Sequence, residues 1–376
     1  MQALSRGMTV LAVLIALTGA VPAAAAGDGP VDAQRATTAG PRGVPATMMT
    51  GLVWGVGKTR GERLGGAEIE KVLDANPHIS GLLLGGIWNE LEPARGAFDW
   101  KSLDAAVEAA RRKGRVYKLL FKPGTGTPDW VYSGHADAAA GAAAFETRGS
   151  NPHRTATYQK PVRIPIPWDP VFLREFERFV AAAGQRYASD PLCAAVTITG
   201  ANFQSAEAHL PKAPKDIERW DALGYRERLP KAYERYIDIF AEAFPRQQLC
   251  LHISVAVRAD DGVLEKAVAY GARRYPDRFT LQNCQLNGKG NNASLYSYAL
   301  LQQYAGKLHI GYQSLAYLAE GERGARMGDP RRAVANFVRG RGEYWELWDA
   351  NGRDPAICKW LLDEIGRARS QAAKTP

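Results

Sequence analysis

Eight short apolar runs recur along this chain, and nearly every gap between them holds a stretch with helical apolar spacing. The runs are Gly51-Val56, Ile79-Leu84, Val116-Phe121, Ala194-Thr199, Leu249-Ser254, Phe279-Leu286, Lys307-Ser314 and Glu343-Trp348. The intervening helical patterns include Lys101-Lys113, Phe172-Tyr187, Lys231-Phe244 and Tyr296-Tyr304. Strand and helix in alternation imply a parallel sheet covered by helices. Eight such units in this length predict a single-domain α/β fold, a (β/α)8 TIM barrel spanning residues 48–372. The glycines between Gly51 and Gly57 have the wrong spacing for a G-x-G-x-x-G turn, which sets aside the dinucleotide-binding open sheet.

Residues 1–26 stand apart from that pattern. Arg6 supplies a short positive segment, Thr9 to Val21 is mostly apolar, and Ala23-Ala24-Ala25-Ala26 offers a small-residue cleavage site. The apolar run is shorter than the roughly 20 residues a membrane span needs. The expectation is a cleaved signal peptide, a secreted or periplasmic protein, and no membrane association after cleavage. Residues 27–47 are rich in Gly, Pro, Ala and Thr without a period, and read as a disordered leader.

The formal charge is +9, or one less once Arg6 leaves with the signal. The basic residues are scattered, so no nucleic-acid partner is expected; an acidic polysaccharide or the anionic cell surface would fit the charge, and simple solubility accounts for it more readily. An exported chain with four cysteines invites pairing, and Cys193 and Cys250 begin consecutive strands, so a disulfide between them is one reading. No Cys-x-x-Cys or His-x-x-x-His occurs, and the six histidines are dispersed. Neither a metal site nor a cofactor is expected.

Barrel enzymes react at the carboxyl ends of their strands. The second run leads into Ile87-Trp88-Asn89-Glu90-Leu91-Glu92-Pro93-Ala94-Arg95-Gly96-Ala97-Phe98-Asp99-Trp100, and the third into Thr127-Pro128-Asp129-Trp130. About 70 residues separate the third and fourth runs, far beyond the ordinary length of a β/α loop, and such an excursion usually belongs to the substrate cleft. These two segments resemble the second and third units of clan-A (β/α)8 glycoside hydrolases, including the barrel β-galactosidases. The resemblance implies carbohydrate chemistry, with aromatic faces for sugar stacking, and implies that Glu92 shapes the second loop.

In that family the acid/base glutamate follows the fourth strand directly after an Asn, and the nucleophile ends the seventh. Here Asn202 is followed by Phe203, with the carboxylate only at Glu207, and the seventh strand ends in Gln313. An amide cannot form a glycosyl ester. Glu207 is the first candidate for general acid, beside the alternative that it only binds a hydroxyl or caps a helix. The eighth run places Tyr344, Glu346 and Trp348 on one face, making Glu346 a candidate base or nucleophile. The competing reading is a structural ion pair of Glu346 with Arg339, Arg341 or Lys118. A separation of about 5 Å between the two carboxyls would imply retention, and about 6.5–9.5 Å inversion.

Substrate-binding candidates are Trp54, Trp88, Glu90, Trp130, Asn202, Asn283, Gln313, Tyr344 and Trp348. Trp54, Trp88, Trp130, Trp345 and Trp348 would form an aromatic rim, while Asn and Gln offer donor and acceptor together. Two functions follow: a secreted glycoside hydrolase cleaving O-glycosidic bonds with a carboxylate pair, or a barrel without catalysis that binds a glycan. A polysaccharide lyase or transferase is a third.

Overall fold

The computed structural model describes residues 47–56, 64–135, 138–150, 157–203, 205–318 and 324–374. The expected signal peptide and nearly all of the expected leader lie outside them. All eight apolar runs form strands: β1 (Gly51–Gly55), β2 (Ile79–Ile87), β3 (Val116–Lys122), then β6 (Cys193–Ile198), β7 (Gln248–Ile253), β8 (Phe279–Leu286), β9 (His309–Ser314) and β10 (Tyr344–Leu347). They close in the order β1-β2-β3-β6-β7-β8-β9-β10, with every neighbouring pair parallel. The fold is a (β/α)8 barrel. Two further strands, β4 (Ala144–Arg148) and β5 (Pro161–Pro165), form an antiparallel hairpin inside the long excursion after β3.

The helices follow from their apolar spacing. Helix 170–187 begins with Pro170, and the Asp169 carboxylate accepts from the Val171 and Phe172 N–H groups. Its buried face carries Phe172, Phe176, Phe179, Val180 and Ala183 at three- and four-residue intervals. The helix expected from Lys231 instead begins at Tyr225 and carries Pro230 inside it. A proline there removes one backbone donor, but the buried Leu229, Tyr233, Tyr236 and Phe240 lie on both sides of it and hold the helix to the barrel. In the excursion, Phe145 of β4 stacks on Trp220 at 3.7 Å and Thr147 donates to Asp216 at 2.7 Å, fixing the hairpin to helix 214–222.

Side chains alternate between the barrel interior and the helix layer. Met49, Val53, Leu83, Leu120, Ala194, Ala195 and Tyr344 form one apolar cluster inside. Met49 is tied there: its N–H donates to Gln248 at 2.7 Å, and its carbonyl meets His309 Nε2 at 2.7 Å. Outside, the larger cluster joins strands to helices.

The Cys193–Cys250 disulfide does not form: all four cysteines are buried thiols outside any disulfide. Register explains it. Cys250 lies opposite Thr197, four residues further along β6 than Cys193. At about 3.3 Å per residue this is about 13 Å, far beyond the reach of a disulfide.

Candidate functional site

A parallel barrel of this size is usually filled by branched apolar side chains. This one is filled in its middle by polar groups. From β3 comes Lys118, from β7 Cys250 and His252, from β8 Gln282 and Cys284, from β9 Gln313, and from β10 Tyr344 and Glu346. Lys118 and Glu346 are both fully buried, and Lys118 Nζ lies 2.8 Å from Glu346 Oε2. The same ammonium donates to Gln282 Oε1 at 2.6 Å and meets His252 Nε2 at 3.4 Å. Its three protons therefore have three acceptors. Glu346 further accepts from Gln282 Nε2 at 3.2 Å and from Gln313 Nε2, and Tyr344 donates its hydroxyl to Gln282 Oε1 at 2.6 Å.

The pairing sets the charges. Burial alone would discharge Lys118, but the adjoining Glu346 carboxylate outweighs it and holds the ammonium above its ordinary value. Burial drives Tyr344 well above the usual phenol range, reinforced by Cys250 beside it. The ion pair with Lys118, one of the two readings of Glu346 from sequence, is present. Arg339 donates instead to Asn291 and Asn336.

Exposure rises toward the carboxyl ends of the strands. Glu346 lies opposite Gln313, and Ser254, Cys284 and Gln313 stand at or near the carboxyl ends of β7, β8 and β9. They are 6, 7 and 8% exposed, above side chains that are sealed. Trp348 is half-buried over this end of β10, its indole N–H donating to the Ser314 carbonyl at 2.7 Å, with the Tyr317 ring 6.3 Å away. Glu207 is half-buried on the loop after β6, its N–H donating to Ser205 Oγ at 3.1 Å and its carbonyl accepting from the His209 N–H. The same loop packs across β7, where the Ala208 N–H donates to the His252 carbonyl at 3.0 Å. Lys212 is held below its ordinary value by burial, partly offset by the charges of Glu207 and Asp261.

Asn202 stands at the end of the fourth barrel strand as expected. Its Nδ2 donates to the Ala206 carbonyl at 3.0 Å, and its buried Oδ1 has no hydrogen-bond partner among the described residues. The backbone at Asn202 passes so close to the loop after β3 that a Cβ on Gly124 would sit 1.9 Å from the Asn202 carbonyl oxygen. Gly124 also has φ +62°, so only glycine suits the position.

Several expected ligands of the mouth lie elsewhere. Trp54 points to the helix layer, fully buried, with its indole N–H on Asp349 at 2.9 Å. Trp88 is core: it contacts Phe172, Phe176 and Phe179, meets Trp130 edge-on at 5.9 Å, and donates to Glu92 at 2.9 Å. Trp345 is also sealed, bonded to Ser314 Oγ. The five-tryptophan rim is therefore corrected, because Trp54 and Trp345 alternate to the outside of their strands and Trp88 turns inward under the second loop. Trp130 is half-buried over that loop and donates to the Glu92 carbonyl at 3.2 Å. Asn283 faces outward and donates to Ser297 at 2.7 Å, and Tyr344 lies in the apolar cluster inside the barrel. Glu90 is exposed on the short helix 88–91.

Glu92 does shape its loop. Its carboxylate accepts from Trp88 and from the Gly96 N–H at 2.6 Å and pairs with Arg178. Gln282, the hub of the interior network, and Cys284 above it were missed as site residues. The signal was available: polar residues at every second position of β8 are costly unless they meet one another inside the barrel.

The beta-galactosidase family model matches residues 84–240, from the end of β2 into the helix after β6. Among solved structures, the catalytic domain of beta-amylase from Paenibacillus polymyxa is similar at 10% identity, over 86% of this chain and 100% of that one, with a TM-score of 0.51. The beta-galactosidase from the psychrophilic Marinomonas ef1 is 13% identical over 84% of this chain and 59% of that one, with a TM-score of 0.49. Xylanase B from Clostridium stercorarium F9 is 14% identical over 80% and 85%, with a TM-score of 0.46. No curated protein matches this chain. The chain is a (β/α)8 barrel resembling the clan-A glycoside hydrolases, with the family match carried by its second to fourth barrel strands and their loops.

Proposed function

We propose that this protein is an exported glycoside hydrolase that cleaves O-glycosidic bonds of a poly- or oligosaccharide at the carboxyl-end mouth of the barrel. The observation that carries the reading is the family match over residues 84–240, which includes Glu207 and its loop. Glu207 acts as general acid, protonating the departing oxygen. Glu346 is the second carboxylate, and Trp348 offers the sugar an aromatic face beside Gln313. The net positive charge is compatible with an acidic polysaccharide as substrate, and the signal peptide expected over residues 1–26 directs the protein to the periplasm or beyond.

For Glu346 to take a proton from water or attack an anomeric carbon, the Gln313 amide bonded to it has to turn aside. The complete burial of Glu346 and its pairing with Lys118 favour a second reading, in which the barrel binds a glycan without cleaving it.

The two readings separate on a panel of neutral and acidic polysaccharides assayed for reducing ends. As a hydrolase, the wild type releases sugar, and Glu207→Gln lowers turnover by about 100-fold or more with little change in affinity. Wild-type turnover in both Glu207→Gln and Glu346→Gln would remove the carboxylate pair. Absence of cleavage together with a ligand-dependent rise in Tm would favour the binding barrel.

A further inference from the structure

We propose that Cys284 is a reactive thiolate at the mouth of the barrel, a site for covalent modification by small carbon electrophiles. The argument starts from Lys118, whose ammonium can only donate. Its contact with His252 Nε2 at 3.4 Å makes that nitrogen the acceptor, so the neutral imidazole keeps its proton on Nδ1. Nδ1 lies 3.6 Å from Cys284 Sγ and presents an N–H to the sulfur. A second donor is fixed in the same way. Gln282 Oε1 receives both Lys118 and the Tyr344 hydroxyl, which settles the amide orientation and directs Nε2 to Cys284 Sγ at 3.6 Å. Two N–H donors and an ammonium behind the imidazole favour the thiolate over the thiol.

The other cysteines are arranged oppositely. Cys250 lies between Tyr344 Oη at 3.2 Å and Gln282 Oε1 at 3.8 Å, where both oxygens can accept its proton. It is fully sealed, and burial raises its thiol. Burial also pushes Cys193 up to about 12 and Cys358 up to about 11. Cys284, near the carboxyl end of β8, is the least deeply buried of the four at 7% exposed. The Gln313 amide nitrogen is spent on Glu346, while its carbonyl oxygen meets no donor among the described residues, leaving an acceptor for the N–H of an incoming amide electrophile.

Among the described residues, the charged and titratable groups around the thiol are Lys118 on β3, Cys250 and His252 on β7, and Tyr344 and Glu346 on β10, with Glu207 and His209 on the loop that crosses β7. Glu346 opposes the thiolate, but its charge is met by Lys118 and by two amides.

Iodoacetamide on the intact full-length protein is the test. The sulfur anion displaces iodide, a C–S bond forming as the C–I bond breaks, after the thiol proton has passed to solvent. Peptide mass spectrometry at limiting reagent should find Cys284 carbamidomethylated roughly tenfold faster than Cys193, Cys250 or Cys358, with a pH midpoint below the ordinary thiol value of about 8.5. His252→Phe should raise that midpoint. Reaction of Cys284 no faster than the other three, or a wild-type midpoint at or above the ordinary value, would overturn the proposal, and the wild-type profile decides even if the variant fails to fold. A His252→Phe variant that folds and keeps the wild-type midpoint would overturn the imidazole's part in it.

Discussion

Replacing Lys118 by Met tests the interior network most directly. The side chains are similar in length, so packing changes little, but the three protons of Nζ disappear. Glu346 then keeps its bonds from Gln282 and Gln313 and loses the Lys118 ammonium, while remaining fully sealed from water. Removing one partner of a buried ion pair costs about 3–5 kcal/mol, because the remaining charge stays desolvated. The cost depends on pH. In the variant, burial without the Lys118 cation favours the neutral acid over the carboxylate, so acidification should relieve part of the cost. The variant should therefore lie about 3–5 kcal/mol below wild type at pH 8 and close part of that gap at pH 5. Guanidinium unfolding at both pH values measures it, and the double variant Lys118→Met/Glu346→Gln should recover at least about 2 kcal/mol relative to the sum of the single changes. A loss at pH 8 under about 1 kcal/mol, or strict additivity, would refute the claim that the barrel interior depends on this pair.

Gly124→Ala should cost at least about 2 kcal/mol in unfolding free energy, since the new Cβ meets the Asn202 carbonyl and the backbone has positive φ. At Asp190 burial raises the carboxyl, but the Leu192 N–H, Tyr117 and Arg111 together hold it below its ordinary value. A depressed carboxyl stabilises the fold above its unfolded value and loses that contribution as pH falls through the folded one, so Asp190→Asn should flatten the acid limb of wild-type stability in a pH series of melts. Trp348→Ala should weaken glycan binding by about tenfold in titration calorimetry while Trp130→Ala, whose ring lies on the second loop, should change it less.

The fold was legible because the barrel strands are mostly apolar on their outward faces. Runs such as Val116-Phe121 and Phe279-Leu286 are too short and too regularly spaced for anything but buried strands, and helix 170–187 shows its period through four phenylalanine and valine positions. What failed was the distinction between the two faces. A tryptophan at the end of a strand looks the same in sequence whether it turns to the mouth, as Trp348 does, or to the helices, as Trp54 does. Alternation decides it only once register is known, and register is set by neighbours far away in the chain. The disulfide failed for the same reason: Cys193 and Cys250 are on adjacent strands but at different heights.

The amide at Gln313, which breaks the family pattern in sequence, has a physical account in the structure. Gln313 and Glu346 are cross-strand partners in hydrogen-bond contact. With a glutamate at 313, a second carboxylate would face the sealed Glu346 with Lys118 as the cation of that network, which favours keeping one of the two protonated. An amide satisfies Glu346 with an N–H and leaves a single negative charge for a single ammonium. Charge at this end of the barrel therefore resides on the eighth strand, with the seventh contributing only a donor to it and an acceptor toward the mouth. The same accounting fixes the His252 tautomer and the orientation of Gln282, and through them what Cys284 meets. The departure at Gln313 and the environment of Cys284 are thus consequences of one buried pair, Lys118 and Glu346.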